Sequence, residues 1–428
     1  MIATSLVTQN RYPTLVYRWL LVGLLLSAGL MTGCSRPSAD SITALTSPAG
    51  AGSAEPHLSR GQDGTVVLSW LEPAGDNMQL RYSVLNTSGW APAVTVARGN
   101  DWFVNWADFP SVTSISAKLW AAHWLKKRPG GTYAYDVVLA LSHDGGQSWD
   151  APIIPHTDGT RTEHGFVSLF PWKRGVGALW LDGRNMVEDG HGTHGATDAG
   201  GMTLRSAIIG VDTNITNPRL IDDLVCDCCQ TDIAITDNGP IAVYRNRTRE
   251  EIRDIYVARS IDGSWLPGQL VADDGWEISG CPVNGPAIVA NGTDVAVAWF
   301  TAPNNRSKVQ LARSIDGGAS FASPIDIDAD RPIGRVDVEL IENGDAVVSW
   351  VRKGEHQQGE ICVRSVTAGG RLGPIRIVAK TNAARPSGFP QMTQQAGDLI
   401  FAWTDTFADQ SLVKSARIPI ISISPLDQ

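Results

Sequence analysis

Three groups of side chains in this sequence have the types and spacing that chemistry needs. The first is Asp101-Trp102-Phe103-Val104-Asn105-Trp106-Ala107-Asp108, where flat rings stand beside acids and an amide. Such a set suits a sugar, whose C–H faces are apolar and whose hydroxyls need partners. Trp102, Asn105 and Trp106 would hold it, with Asp108 as an acid; the same rings could instead pack between elements of the fold. The second is Arg245-Asn246-Arg247-Thr248-Arg249-Glu250-Glu251-Ile252-Arg253-Asp254. Guanidinium forks there could grip a carboxylate or sulfate, while the interleaved acids allow a self-paired network.

The third group is sulfur: Cys226-Asp227-Cys228-Cys229, and later Gly280-Cys281-Pro282. A disulfide from Cys281 to Cys228 or Cys229 is one reading, and a soft-metal thiolate site completed by His164 is another. The C-x-C-C spacing matches no zinc ribbon. The sequence otherwise requires no cofactor. After Trp180 comes a Gly-rich stretch with Asp182, Arg184, Glu188, Asp189, His191, His194 and Asp198, which reads as a lid, a metal loop or a solvated loop.

These groups must be positioned by a repeat. Apolar alternation closes on an aromatic at Trp70, Trp124, Trp180, Tyr244, Trp299, Trp350 and Trp403, at spacings of 54, 56, 64, 55, 51 and 53 residues. About four strands fit each repeat, the pattern of a β-propeller blade. The chain is therefore expected to be all-β, a seven-bladed propeller of four-stranded antiparallel blades. Counting back from each aromatic places Asp108, His164, Cys228, Cys229, Cys281 and Arg335 at one height around the mouth of the channel. An open blade would leave an exposed edge, so Ile42–Leu45 or Ile418–Ile423 is expected to close the ring.

Two tight turns share one pattern: Ser142, Asp144, Gly146, Trp149 and, later, Ser314, Asp316, Gly318, Phe321. A shortened copy runs from Ser260 to Trp265. This motif resembles the Asp-box of the sialidase (BNR-repeat) superfamily, and with the repeat the resemblance covers residues 57–420. It implies a propeller, usually of six blades, which is the alternative to seven. It also implies glycoside chemistry with an arginine triad on the substrate carboxylate, a Tyr–Glu nucleophile and an Asp acid/base. Carried onto this chain, Asp108 is the acid, Asp182 or Glu250 the second carboxylate, and Arg245, Arg247, Arg335 and Arg184 the anion-binding set. The family's Tyr comes late, and this chain has none after Tyr256. A glycan- or protein-binding propeller without catalysis is therefore the second reading, its rim stabilised by a disulfide or metal. The turns themselves are expected on the face opposite the long loops, as structure rather than chemistry.

The N-terminus carries Arg11 and Arg18 before an apolar run, Trp19 to Met31, ending in Leu30-Met31-Thr32-Gly33-Cys34. Small residues before a Cys read as a bacterial lipoprotein signal over residues 1–34, lipidated at Cys34; an ordinary signal peptide or uncleaved anchor is the alternative. Residues 35–56 read as a flexible tether and 57–428 as one propeller domain. The protein is thus expected outside the cytoplasm, anchored to a membrane, where disulfides are permitted. With net charge −9 and no basic run beyond Lys126-Lys127-Arg128, nucleic acid is not an expected partner; a glycan or glycoconjugate is.

Overall fold

The computed structural model describes residues 42–173, 175–186, 200–356, 358–407 and 410–423. Cys34 and the leader lie outside these residues, as do Glu188, Asp189, His191, His194 and Asp198. Seven antiparallel sheets are arranged in a ring, a seven-bladed β-propeller. The innermost strands, blades 1 to 7, are Ala54–Arg60, Ser111–Ser114, His164–Trp172, Asp232–Thr236, Ala287–Asn291, Pro332–Leu340 and Gln391–Gln395. The second strands carry the seven repeat aromatics, all between 0% and 7% exposed. Both faces of these strands meet a neighbouring blade. They therefore read as continuous apolar runs rather than a half-polar alternation. Among the described residues the core divides into seven clusters, one at each blade-to-blade seam.

The ring closes through the first of the two candidate segments. Thr43–Leu45 pairs antiparallel with Gln410–Pro419, so the N-terminal strand becomes the outermost strand of blade 7. Residues from Thr43 onward thus belong to the propeller, whereas the sequence reading begins the domain at residue 57. Inner strands are tied across the seams by side chains that accept backbone N–H groups. Ser69 Oγ accepts from Val112 (3.1 Å), Asp108 Oδ1 from Phe166 (2.8 Å), Asp232 Oδ2 from Ile288 (2.8 Å), Asn284 Oδ1 from Arg335 (2.8 Å) and Asp337 Oδ2 from Met392 (2.6 Å). Each seam bond satisfies a buried donor that no ladder partner reaches.

The two repeated turns have matching geometry. Ser142 Oγ accepts the Gly146 N–H at 2.9 Å, and Asp144 accepts Ser148 N–H and Oγ–H at 2.9 and 2.6 Å. Ser314, Gly318, Asp316 and Ser320 repeat this at 2.9, 2.9 and 2.6 Å. Gly146 and Gly318 sit at φ +90° and +80°, a conformation that favours glycine. The first turn ends the strand Tyr135–Ser142, whose other end faces the long loops. Seven steps of about 3.3 Å put the two faces about 23 Å apart, as the strand order predicts.

Candidate functional site

The second strands carry a feature the sequence reading missed: each of several repeat aromatics hands its polar hydrogen to a carboxylate. Trp70 donates to Glu72 (2.8 Å), Trp180 to Asp182 (2.9 Å), Trp299 to Asp274 (2.7 Å), Trp350 to Asp328 (2.7 Å) and Tyr244 to Asp222 (2.7 Å). A buried indole N–H needs an acceptor. Asp182 is therefore one member of a repeated structural pair rather than a lone catalytic acid. Arg184 binds it bidentately at 2.7 Å on both arms.

Asp108 is also internal. It is 2% exposed, and its two oxygens meet the Phe166 N–H and, at 3.0 Å, Tyr135 Oη. Tyr135 Oη lies 2.6 Å from Glu163 Oε1, and its ring stacks on Phe103 at 4.0 Å. A phenol has a single hydrogen. The arrangement therefore balances as Asp108 Oδ2–H donating to Tyr135, and Tyr135 donating to the Glu163 carboxylate. Burial agrees, pushing the Asp108 carboxyl up to about 8. An acid, a Tyr and a Glu do meet here, but Tyr135 is 0% and Glu163 5% exposed, behind the Phe103 ring. Sequence reasoning overlooked both because they lie in different repeats.

The predicted anion-binding arginines are consumed by the fold. Arg245 is 1% exposed and donates to the carbonyls of Asn284, Arg253 and Phe300. Arg335 donates to Ser387 Oγ (2.7 Å) and Gly388 O (2.9 Å), and lies over the Trp106 ring. Arg247 pairs with Asp227 (2.9 Å) and Glu251 (2.6 Å). Glu250 is exposed, and Glu251 is the carboxylate that works inside the loop. The self-paired reading of this stretch is the correct one. Trp102 stacks on Trp124 at 5.6 Å between blades 1 and 2. Trp106 stacks on Phe389 at 5.7 Å, and Asn105 Oδ1 accepts the Ala107 N–H. These three side chains belong to packing and turn geometry rather than to an open sugar platform.

His164 does not join the cysteines. It lies 0% exposed in a cluster between blades 2 and 3, stacked on His156 at 3.9 Å with the planes 2° apart. Asp158 bridges the rings, 3.2 Å from His156 Nδ1 and 3.3 Å from His164 Nε2, and Asp182 stands 3.8 Å from His164. Burial opposes charge on His164, but the bond to Asp158 and the charge of Asp182 outweigh it and raise its pKa. Burial likewise opposes the Asp158 charge, and the two imidazoles reverse that.

Cys226, Cys228 and Cys229 converge between blades 3 and 4, their sulfurs within 4.8 Å of one another. The Cys228 thiol also meets Cys281 as a hydrogen-bond partner, so the segments that the repeat arithmetic put together do meet. The predicted staple itself is not formed: Cys226, Cys228 and Cys229 carry free thiols. The turn aims three sulfurs at one another, with Cys226 and Cys228 at 3.9 Å, well beyond the roughly 2.05 Å of an S–S bond. Cys362 is a separate buried thiol, pushed up to about 12 by burial.

Along the axis runs a cavity of about 500 Å³. Its wall includes Ser111, Thr113, Ser168, Thr231, Gln391 and Thr393, with Phe109 and Phe389 among the residues that line it. Burial pushes the Asp232 carboxyl up to about 7, raises Asp337 and Glu339, and brings His57 and His123 down to about 4 and about 3. These acids and imidazoles are thereby held toward their neutral forms, and Arg60 stands in the same wall as a cation.

No family model and no curated protein matches the chain. Solved structures do. The chain is similar to the polysaccharide lyase Uly1, with TM-score 0.51, 9% identity and 90% of each chain covered. It is also similar to an α-L-arabinanase from Penicillium chrysogenum complexed with arabinobiose (TM-score 0.48, 11% identity, 90% of this chain and 98% of that one). The NanB sialidase from Streptococcus pneumoniae is a third (TM-score 0.47, 9% identity, 90% and 95%). At 9% identity the likeness to the lyase shows the fold alone.

Proposed function

We propose that the protein is an exported, lipid-tethered propeller that binds a glycan in its central channel and does not hydrolyse it. The observation that carries this reading is the channel: about 500 Å³, lined by hydroxyls, amides, aliphatic side chains and two Phe rings, with its acids and imidazoles biased toward neutrality and Arg60 as a cation in the wall. Such a wall suits a polyhydroxylated, uncharged chain. It does not suit the anionic sugar that the arginines first suggested, since those arginines bind carbonyls and acids of the protein itself. The glycan class is in keeping with the polysaccharide lyase whose fold the chain shares. Non-hydrolysis rests on Asp108, Tyr135 and Asp182 being buried and internally bonded. A lipid on Cys34 would hold the propeller at a membrane surface.

A calorimetric screen of neutral and sialylated oligosaccharides, run beside a reducing-sugar assay, tests the reading. Neutral chains are expected to bind without release of sugar. Thr113→Trp, which fills the channel, is expected to abolish binding while leaving the circular dichroism unchanged. Release of sugar, or binding that survives Thr113→Trp, overturns it. Loss of membrane association in Cys34→Ala tests the anchor separately.

A further inference from the structure

We infer that Cys226, Cys228, Cys229 and Cys281 form a thiolate site for a soft closed-shell metal ion, Zn(II) or Cu(I), on the connections that enter blades 4 and 5. The inference stands apart from the glycan reading, because it uses none of the channel residues.

Distances come first. The sulfurs of Cys226, Cys228 and Cys229 lie within 4.8 Å of one another, and those of Cys226 and Cys228 are 3.9 Å apart. A Zn–S bond is about 2.3 Å, so four sulfurs on a regular tetrahedron stand about 3.8 Å apart. Cys281 arrives from the next connection and meets Cys228 beside the three converging sulfurs, which makes it the candidate fourth donor. Soft thiolates select zinc and monovalent copper over hard cations.

Charge comes second. Three or four thiolates around one such ion leave net negative charge, which a buried site must offset. Arg253 is 0% exposed, and its Nη1 donates to Cys226 Sγ at 3.6 Å. Its other arm is fixed by Glu251 at 2.7 Å. A fixed cation behind converging sulfurs favours binding, which displaces the thiol protons to solvent.

Access comes third. Cys226 and Cys229 are buried, whereas Cys228 and Cys281 are half-buried, so an ion has a side from which to enter. Cys362 provides the internal contrast. It too is a buried thiol, but it belongs to no group of converging metal-ligand donors among the described residues.

The test uses the full propeller purified anaerobically under reduction, then loaded with Zn(II), with Cu(I) or with Co(II) as a spectroscopic stand-in. One ion per chain should survive desalting, four thiols should become protected from alkylation, and Co(II) should give intense sulfur-to-metal charge-transfer absorption. Cys228→Ser and the pair Cys226→Ser/Cys229→Ser should lose the ion, and Cys362→Ser should keep it. Chelator competition then tells zinc from copper. If the cysteine variants fail to fold, the wild-type cobalt spectrum and stoichiometry decide alone. A folded wild-type protein that retains no ion overturns the inference. So does a Cys228→Ser variant that binds as well as wild type, or a peptide map of protein taken from its own cell envelope that shows the four sulfurs in disulfides.

Discussion

The connection entering blade 3 and the one entering blade 4 each bury a cluster of metal-ligand residue types within 4.8 Å of one another, and they differ in donor chemistry and in how far the donors are already paired. At blade 3 the rings of His156 and His164 are parallel, 3.9 Å apart and 2° from coplanar directions. An imidazole lone pair lies in the plane of its ring, and no point lies in two parallel planes. The rings therefore cannot share one ion without rotating, and their nitrogens already face Asp136, Asp158 and Asp182, with Arg184 sharing Asp158. At blade 4 a thiolate accepts bonding from a wide range of directions, and three sulfurs converge with a guanidinium behind them. Proximity is thus shared, and the existing pairing of the blade 3 donors separates a charge network that ties the fold from a set of soft donors that can take a ligand.

The sharpest way to break this comparison is to remove one member of each cluster from metal-free protein. His164→Leu leaves Asp158 and Asp182 buried with one cation fewer. Arg184 still reaches both, so the cost should fall at the low end for a broken buried pair, about 3 kcal/mol, read as a drop in Tm. Cys228→Ser should stay within about 1 kcal/mol. The loss should depend on pH. The folded pKa of His164 is raised, so its stabilisation is complete below about 6.5 and lost as pH rises through the folded value. His164→Leu should therefore fall furthest behind wild type at acid pH. Equal and pH-independent losses in the two variants would put both clusters in one class.

Asp108 gives the next largest effect. Asp108→Ala strands the Phe166 N–H, while Tyr135 still donates to Glu163 but loses the proton it accepted, at about 1–3 kcal/mol. Asp108→Asn keeps an acceptor for Phe166 and a donor for Tyr135, as the protonated acid does, and should cost under about 1 kcal/mol. The folded carboxyl holds its proton up to about 8, whereas the unfolded one releases it near about 4. Its contribution is thus full below about pH 4 and drains as pH climbs toward about 8. The Asn variant has no such drain and should gain on wild type between pH 5 and pH 8 in denaturant titrations. A gap that stays constant would mean that Asp108 is ionised in the folded chain, and would reopen a role for it as an acid/base.

These outcomes bear on what could be read without coordinates. Seven blades and the opposite placement of the two turns follow from periodicity, because both faces of each second strand are buried and each aromatic must recur; ring closure is narrowed to two segments, of which Thr43–Leu45 is the one that pairs. Repeat arithmetic also brought Cys281 to Cys228. It failed where side-chain direction decides the matter. Arg245 and Arg335 stand at the right height but point at carbonyls. Asp182 reads as catalytic until it is seen that Trp70, Trp299 and Trp350 hold carboxylates in the same way. Glu163 pairs with Tyr135 from another repeat, a contact that no spacing within one repeat encodes.

The smallest effect belongs to the opposite face. Tyr82 Oη donates to Gly146 O at 2.9 Å, joining blade 1 to the first repeated turn, and Gly146 lies so close that an added Cβ would meet that oxygen at 2.6 Å. Tyr82→Phe removes the bond and leaves the ring against Trp120 and Trp149, so about 1 kcal/mol should be lost. Tyr82 and the His156–His164 cluster share no partner, and the turn and the cluster sit at opposite ends of the blades. In the double variant Tyr82→Phe/His164→Leu the losses should therefore add to within about 0.5 kcal/mol. A larger coupling would show that strain passes along the strand Tyr135–Ser142, which carries Tyr135 at one end and Ser142 at the other. The two faces would then behave as one cooperative unit instead of a binding rim set on an independent base.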